Sequence, residues 1–234
     1  MQLSPDSIVI ARWGTFPLSA TLLFTWLTML LLVVIAALIT RQLTTGPRVG
    51  NLQAMLELVV EGICTQIREV TGEPCEAYLP LVGTLFLFIV VSNLLAVVPG
   101  FEAPTGSLST TVALALCVFV AVPIHGIGRV GLIAYLRSYL RPTPLMLPFQ
   151  VIGEFSRTLA LAMRLFGNIM SGNLITAILL SIVPLFVPVV MQLLGLVIGV
   201  IQAYVFAVLA LVYISSAASI QKKHQPSAEG NSHE

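Results

Sequence analysis

Between Arg141 and Lys222 the chain carries three charged side chains, Glu154, Arg157 and Arg164, in an otherwise apolar stretch. Charge at membrane depth is expensive and faces a bundle interior, a water-filled cavity or a partner. Glu154 and Arg157 are three apart, neighbours on a helix that can neutralise one another. Two readings stand for them, an ion pair near a helix end or part of an aqueous access path. Arg164 lies two turns beyond Arg157 with no acid within reach on its own helix. A guanidinium stays protonated whatever its surroundings, so packing alone does not justify it, and its counter-charge is expected from another chain.

Arg157, Leu161, Arg164, Asn168 and Ser171 recur at helical spacing and predict a polar stripe on one helix face. Asn173 follows on the same segment. Gln202, in "IQAYVFAVLALVYISS", is the strongly polar residue of the last apolar segment, and a hairpin of the two segments is expected to bring it opposite Arg164. Gly195 and Gly199 form a G-x-x-x-G, a sign of close helix approach. His125 reads as a loop or interface histidine. Cys64, Cys75 and Cys117 lack metal or redox spacing and read as ordinary buried or interfacial thiols. No nucleophile–base pair, H-E-x-x-H or phosphate-cradling loop is present. The chain is therefore expected to have no catalytic site and no cofactor or metal of its own.

The elements that position these groups follow from hydropathy. The 234 residues are 57% hydrophobic and 9% charged, with mean hydropathy +1.00, against roughly one quarter charged in soluble domains. The fold class is all-α, a polytopic membrane protein with five crossings, expected at about 16–40, 78–98, 110–127, 145–180 and 188–219. A crossing needs about 20 residues. The last two segments, broken around Pro184 and Pro188, exceed thirty residues each. At 1.5 Å per residue they reach about 50 Å, so they form a hairpin that tilts strongly. Residues 50–73 alternate apolar and charged faces and predict an interfacial amphipathic helix. Pro123 is expected to kink or shorten the third span. Residues 1–221 form a single membrane domain and 222–234 a polar cytoplasmic tail.

Arginines after the first and third spans, with Lys222 and Lys223 after the last, fall on one side of a five-crossing topology. The loop with Glu102 and the Pro184 tip fall on the other. Basic loops stay cytoplasmic, so the N-terminus is expected outside and the C-terminus inside. The N-terminus lacks a basic n-region and A-x-A site, so the first apolar run reads as a retained span. A net charge of +1, with its basic residues spread along the loops, gives no hint of nucleic-acid binding, and no nucleic-acid partner is expected.

"LAMRLFGN" (161–168), "IQAYVFAVLALVYIS" (201–215) and "YLPLVGTLFLFIVVSNLLAVVPG" (78–100) resemble the membrane subunit a of rotary F-type ATP synthases. The resemblance spans about 80–219. It implies a non-catalytic subunit in the cell inner membrane, forming two half-channels that pass H⁺ to and from the carboxylates of a rotating c-ring. The implied partners are that ring, the peripheral stalk subunit b and lipid. Arg164 would face the ring carboxylate, Asn168 would line the path, and Gln202 would hydrogen-bond near the arginine. The chain departs from the family pattern where a titratable group is usual: Asn173 stands nine residues after Arg164, Gly195 seven before Gln202, and Gln150 fourteen before Arg164, with Glu154 one turn later. Two readings of the ion follow, H⁺ carried through water, or Na⁺ held by oxygen ligands in a divergent sodium-linked branch. An independent secondary transporter is the rival class. Such folds show repeated halves, and the spans before Pro104 do not repeat in those after it.

Overall fold

The computed structural model describes residues 9–13, 16–41, 51–98, 101, 103–131, 146–182 and 187–222. Its helices are α1 (Ala20–Arg41), α2 (Asn51–Thr71), α3 (Leu79–Leu95), α4 (Leu108–Val130), α5 (Met146–Ile182) and α6 (Val187–Lys222). Short 3₁₀ turns at Cys75–Ala77 and Pro104–Gly106 lead into α3 and α4. α1, α4, α5 and α6 are long and apolar enough to cross a membrane, and α3 is a shorter apolar helix. This is the expected helical, polytopic architecture. The Glu102 loop residue, Arg48, Arg137, Arg141, the Pro184 tip, Lys223 and the rest of the tail lie outside the described residues.

The N-terminal boundary is corrected. Residues 16–19, expected to begin the first span, instead form a strand (β2, Phe16–Ser19) antiparallel to β1 (Val9–Trp13). Trp13 pairs with Phe16 and Arg12 with Pro17, with an irregularity between Val9 and Ala11. Pro17 has no N–H to give a central strand, and in a two-stranded ribbon it needs none. The expected shortening at Pro123 does not occur: α4 continues through it to Val130. It stops at Gly131, whose φ of 82° favours a residue without Cβ and whose N–H donates to the Ile127 carbonyl (2.8 Å).

The packing follows membrane logic. Lipid tails are as apolar as leucine, so helices associate through close van der Waals contact and interhelical hydrogen bonds. α1 accordingly buries Thr21, Thr25 and Thr28 while exposing Trp26, Leu30 and Val33. Thr25 and Thr28 satisfy their hydroxyls on the carbonyls of Thr21 and Phe24, 2.7 and 2.8 Å away. Where α3, α4, α5 and α6 meet, Ala115, Ala162, Ala203 and Ala210 let the backbones approach around Phe88, Leu165 and Phe206. α5 and α6 run antiparallel, because Arg157 near the start of α5 lies over Tyr213 near the end of α6. Their 37 and 36 residues give helices of about 55 Å, longer than the roughly 30 Å hydrocarbon layer.

A second core lies at the α2 end of the bundle, where Ile67, Tyr78, Val122, Leu211 and Ile214 are buried together. The C-terminal half of α2 therefore docks on the protein, while Met55 and Leu58 of its N-terminal half stay exposed, as an interfacial helix requires. His125 hydrogen-bonds the carbonyls of Ala77 and Ala121, each at 3.1 Å, and stacks on Tyr78. It is the interface histidine expected of it. The cysteine expectation is overturned for two of the three: Cys64 on α2 and Cys75 in the following turn form a disulfide. The chain doubles back at Gly72, bringing their Cα atoms to 5.2 Å, inside the disulfide range. Cys117 is free and exposed. Denatured without reductant, the chain is expected to take up one thiol-reactive label, and after reduction three, read as mass increments. Three labels without reduction would contradict the pairing.

Candidate functional site: a cationic face on the long hairpin

At about 100° per residue, Arg157, Arg164 and Ser171, spaced by seven, lie along one nearly axial line of α5. All three are exposed. Leu161 and Leu165 sit progressively further round toward the bundle, and both are fully buried, at 1% and 0% exposure. The expected stripe is thus split. Leu161 belongs to the core, Asn168 is half-buried at the border, and the two arginines and Ser171 face outward. Asn173, about half a turn beyond Ser171, is also exposed.

Glu154 and Arg157 form the expected ion pair, 3.7 Å apart, with side chains 20% and 55% exposed. The guanidinium also lies 5.7 Å from the centroid of the Tyr213 ring, a distance at which cation–π attraction operates. Arg157 is therefore held from two sides. Among the described residues Arg164 has neither an ion pair nor a hydrogen bond. Its neighbours on the same face are the exposed Met163 and Gly167, and nothing stands within 4 Å of where a Cβ on Gly167 would be. The arginine thus projects from a smooth outer face of the bundle.

The contact of Arg157 with Tyr213 brings the first part of α5 beside the last part of α6. Eleven residues up α5 from Arg157 is Asn168, and eleven back along α6 from Tyr213 is Gln202. Counted from that contact, Gln202 corresponds along the chain to Asn168, which is four residues, about one helical turn, beyond Arg164. No hydrogen bond joins Gln202 to Arg164 among the described residues, and the buried Gln202 amide nitrogen has no partner there. Gly195 is open on its outer side, whereas Gly199 is buried and presses on α3. The G-x-x-x-G pair is therefore an interface at one end only.

Other groups near the site were not singled out by sequence. Asn93 of α3 donates from Nδ2 to the Gly199 carbonyl of α6 at 2.9 Å, and Thr105 donates to Asn93 Oδ1 at 3.2 Å. Gln192 donates to the Ala96 carbonyl at 2.9 Å, a second tie between α6 and α3. Tyr204 donates to Gln66 Oε1 at 2.6 Å and ties α6 to α2. Asn93 could have been found by the test that found Gln202, an amide in the middle of an apolar span. Nothing in the spacing of Tyr204 and Gln66, 138 residues apart, announces their contact.

Among the described residues no group of three or more His, Cys, Asp or Glu side chains is placed to hold a metal ion. What the geometry offers is an apolar outer face with one unneutralised cation at mid-helix and polar groups both before and after it along α5.

Comparison with known proteins gives the same answer over nearly the whole chain. Residues 22–215 match the ATP synthase A chain family. "ATP synthase subunit a 2" of a Picosynechococcus species is 64% identical over 233 residues, 99% of this chain and all of the relative. "ATP synthase subunit a 2" of Acaryochloris marina is 54% identical over 98% of each chain, and "ATP synthase subunit a" of Nitrosospira multiformis is 54% identical over 94% of this chain and 87% of that one. A match of this extent leaves no room for the secondary-transporter reading, and the chain belongs to the ATP synthase A chain family, that of the subunits a of the membrane-embedded F₀ sector.

Proposed function

We propose that this chain is the stator half of the F₀ ion path, with Arg164 facing the carboxylates of a rotating c-ring. The observation that carries the reading is the exposed, unpaired position of Arg164 on an apolar helix. Two unit charges 4 Å apart interact by about 4 kcal/mol at an effective dielectric of about 20. That attraction holds a passing carboxylate ionised, so each ring site gives up its ion before it reaches the arginine. The arginine never carries the ion, because it does not deprotonate.

The order of groups along α5 supports two half-channels separated by that charge. Glu154 and Arg157 precede Arg164 and stand on the cytoplasmic side in an N-out, C-in orientation. Asn168, Ser171 and Asn173 follow it on the outer side, with Gln202 of α6 placed there in this reading. Each half-channel reaches the ring from one side alone, and the fixed cation blocks a direct leak between them. In this assembly α2 faces the peripheral stalk subunit b or the lipid surface, and the complex sits in the cell inner membrane.

The coupling ion is H⁺ in this reading, passing through water between polar side chains. One observation favours Na⁺ as a second reading: Glu154 is the sole carboxylate of α5 and α6, and Asn173 and Gly195 occupy positions where a relay would need titratable groups. Amide and hydroxyl oxygens suit a hard cation.

ATP-driven ion uptake into vesicles holding the whole complex tests both levels. Arg164→Ala is expected to reduce coupled uptake to background, and normal uptake in that variant would sink the proposal. For the intact protein, uptake that collapses with protonophore and ignores Na⁺ is the expected result. Sodium uptake that survives protonophore would replace H⁺ by Na⁺ and leave the role of Arg164 standing.

A further inference from the structure

The site depends on where α6 stands along α5, and the buried core that these two helices share, Leu161, Leu165 and Phe206 among it, is apolar. A polar link crosses the bundle at this level. Gly199 of α6 is buried, and a Cβ there would lie 2.9 Å from both Cγ and Nδ2 of Asn93 and 3.1 Å from its Cβ. Real Cβ atoms essentially never adopt the two shorter separations, so the missing side chain is a notch that Asn93 fills. The amide cannot swing aside freely. Its Nδ2 donates to the Gly199 carbonyl and its Oδ1 accepts from Thr105, and Asn93 and Thr105 are 6% and 0% exposed. Each bond lost would leave a buried polar group without a partner.

The link continues to α5. Thr105 lies in the 3₁₀ turn Pro104–Gly106, whose three residues are all buried. A Cβ on Gly106 would stand 3.2 Å from Ile169 Cγ2 and 4.0 Å from Asn173 Nδ2. The turn therefore presses on α5 five to nine residues beyond Arg164, while Asn93 grips α6 three residues before Gln202. α5 and α6 are held by one buried chain of contacts through a segment that belongs to neither.

We propose that the Gly199–Asn93–Thr105 link is a positioning device that fixes the axial register of α6 against α5, and so the placing of Gln202 and Asn173 relative to Arg164. The effect on transport rests on the reading of Arg164 given above, but the register itself does not. Asn93 and Thr105 are positioning residues, and in this account neither touches the ion.

The test uses the assembled complex in vesicles. Spin labels on Phe149→Cys and Val212→Cys, both exposed positions, report the α5–α6 distance in a Cys117→Ser background, where the other two cysteines are paired. Thr105→Val removes the hydroxyl and keeps the shape. It is expected to shift or broaden the distance by about 1–2 Å and to lower coupled uptake about fivefold, the equivalent of one buried hydrogen bond. Thr105→Ser keeps the hydroxyl and is expected to restore both. An unchanged distance in Thr105→Val, or a failure of Thr105→Ser to restore it, overturns the proposal. Gly199→Ala is expected to lower both assembly and uptake. Adding Asn93→Ala relieves the clash and is expected to recover assembly while uptake stays low. Full uptake in the single or the double variant would make Asn93 a space-filler and overturn the proposal. Loss of uptake in Arg164→Ala with an unaltered α5–α6 distance separates the two readings.

Discussion

A guanidinium that cannot be neutralised, held where no described residue of its own chain supplies an anion, is the constraint to which the rest of the structure answers. Arginine stays charged in any protein environment, and leaving it among apolar side chains without a partner is costly. The chain does not solve the problem internally. Its transmembrane carboxylate, Glu154, is already engaged with Arg157, which also leans on Tyr213. Arg164 is left exposed on the outside of α5, beside a glycine with open space around it. In the proposed function the missing anion arrives on the surface of another subunit.

Presenting such a charge demands a rigid back. On the inward side of α5, Leu161, Ala162 and Leu165 are buried against α3, α4 and α6, so the helix cannot roll to hide the arginine without opening that core. The small residues at the crossings bring backbones close enough for polar ties to reach across: Asn93 and Gln192 tie α6 to α3, and Tyr204 ties it to α2. In a bilayer such bonds average about 0.6 kcal/mol, too little to hold a fold singly but enough in combination to choose one register among several of similar packing. α2 adds a covalent restraint through Cys64 and Cys75, joining the interfacial helix to the turn that starts α3.

The gross architecture and the central residue were legible in the sequence for one physical reason. Hydrophobic runs report membrane crossings, and a charge inside such a run stands out against them. The Glu154–Arg157 pair was legible because it is local, three residues along one helix. What could not be read depends on contacts between distant segments. Gln202 was expected opposite Arg164; no hydrogen bond joins the two among the described residues, and how two long helices stand along one another is set by register and not by composition. The Asn93–Gly199 bond joins residues 106 apart, and the disulfide joins cysteines whose spacing matches no motif. Residues 16–19 look apolar enough to begin a span, yet pairing with Val9–Trp13 draws them into a strand.

The central claim is that Arg164 faces a carboxylate on a moving partner, and proximity tests it most directly. Cysteines placed at Met163 and Gly167, the exposed neighbours of the arginine, can be paired with a cysteine next to the ring carboxylate in the assembled complex and oxidised to a cross-link. The account predicts that both positions cross-link to the ring, and that ATP hydrolysis is then blocked until the bond is reduced. Cross-links confined to Leu30 or Val33 on α1, with none at Met163 or Gly167, would place the ring on another face and contradict it.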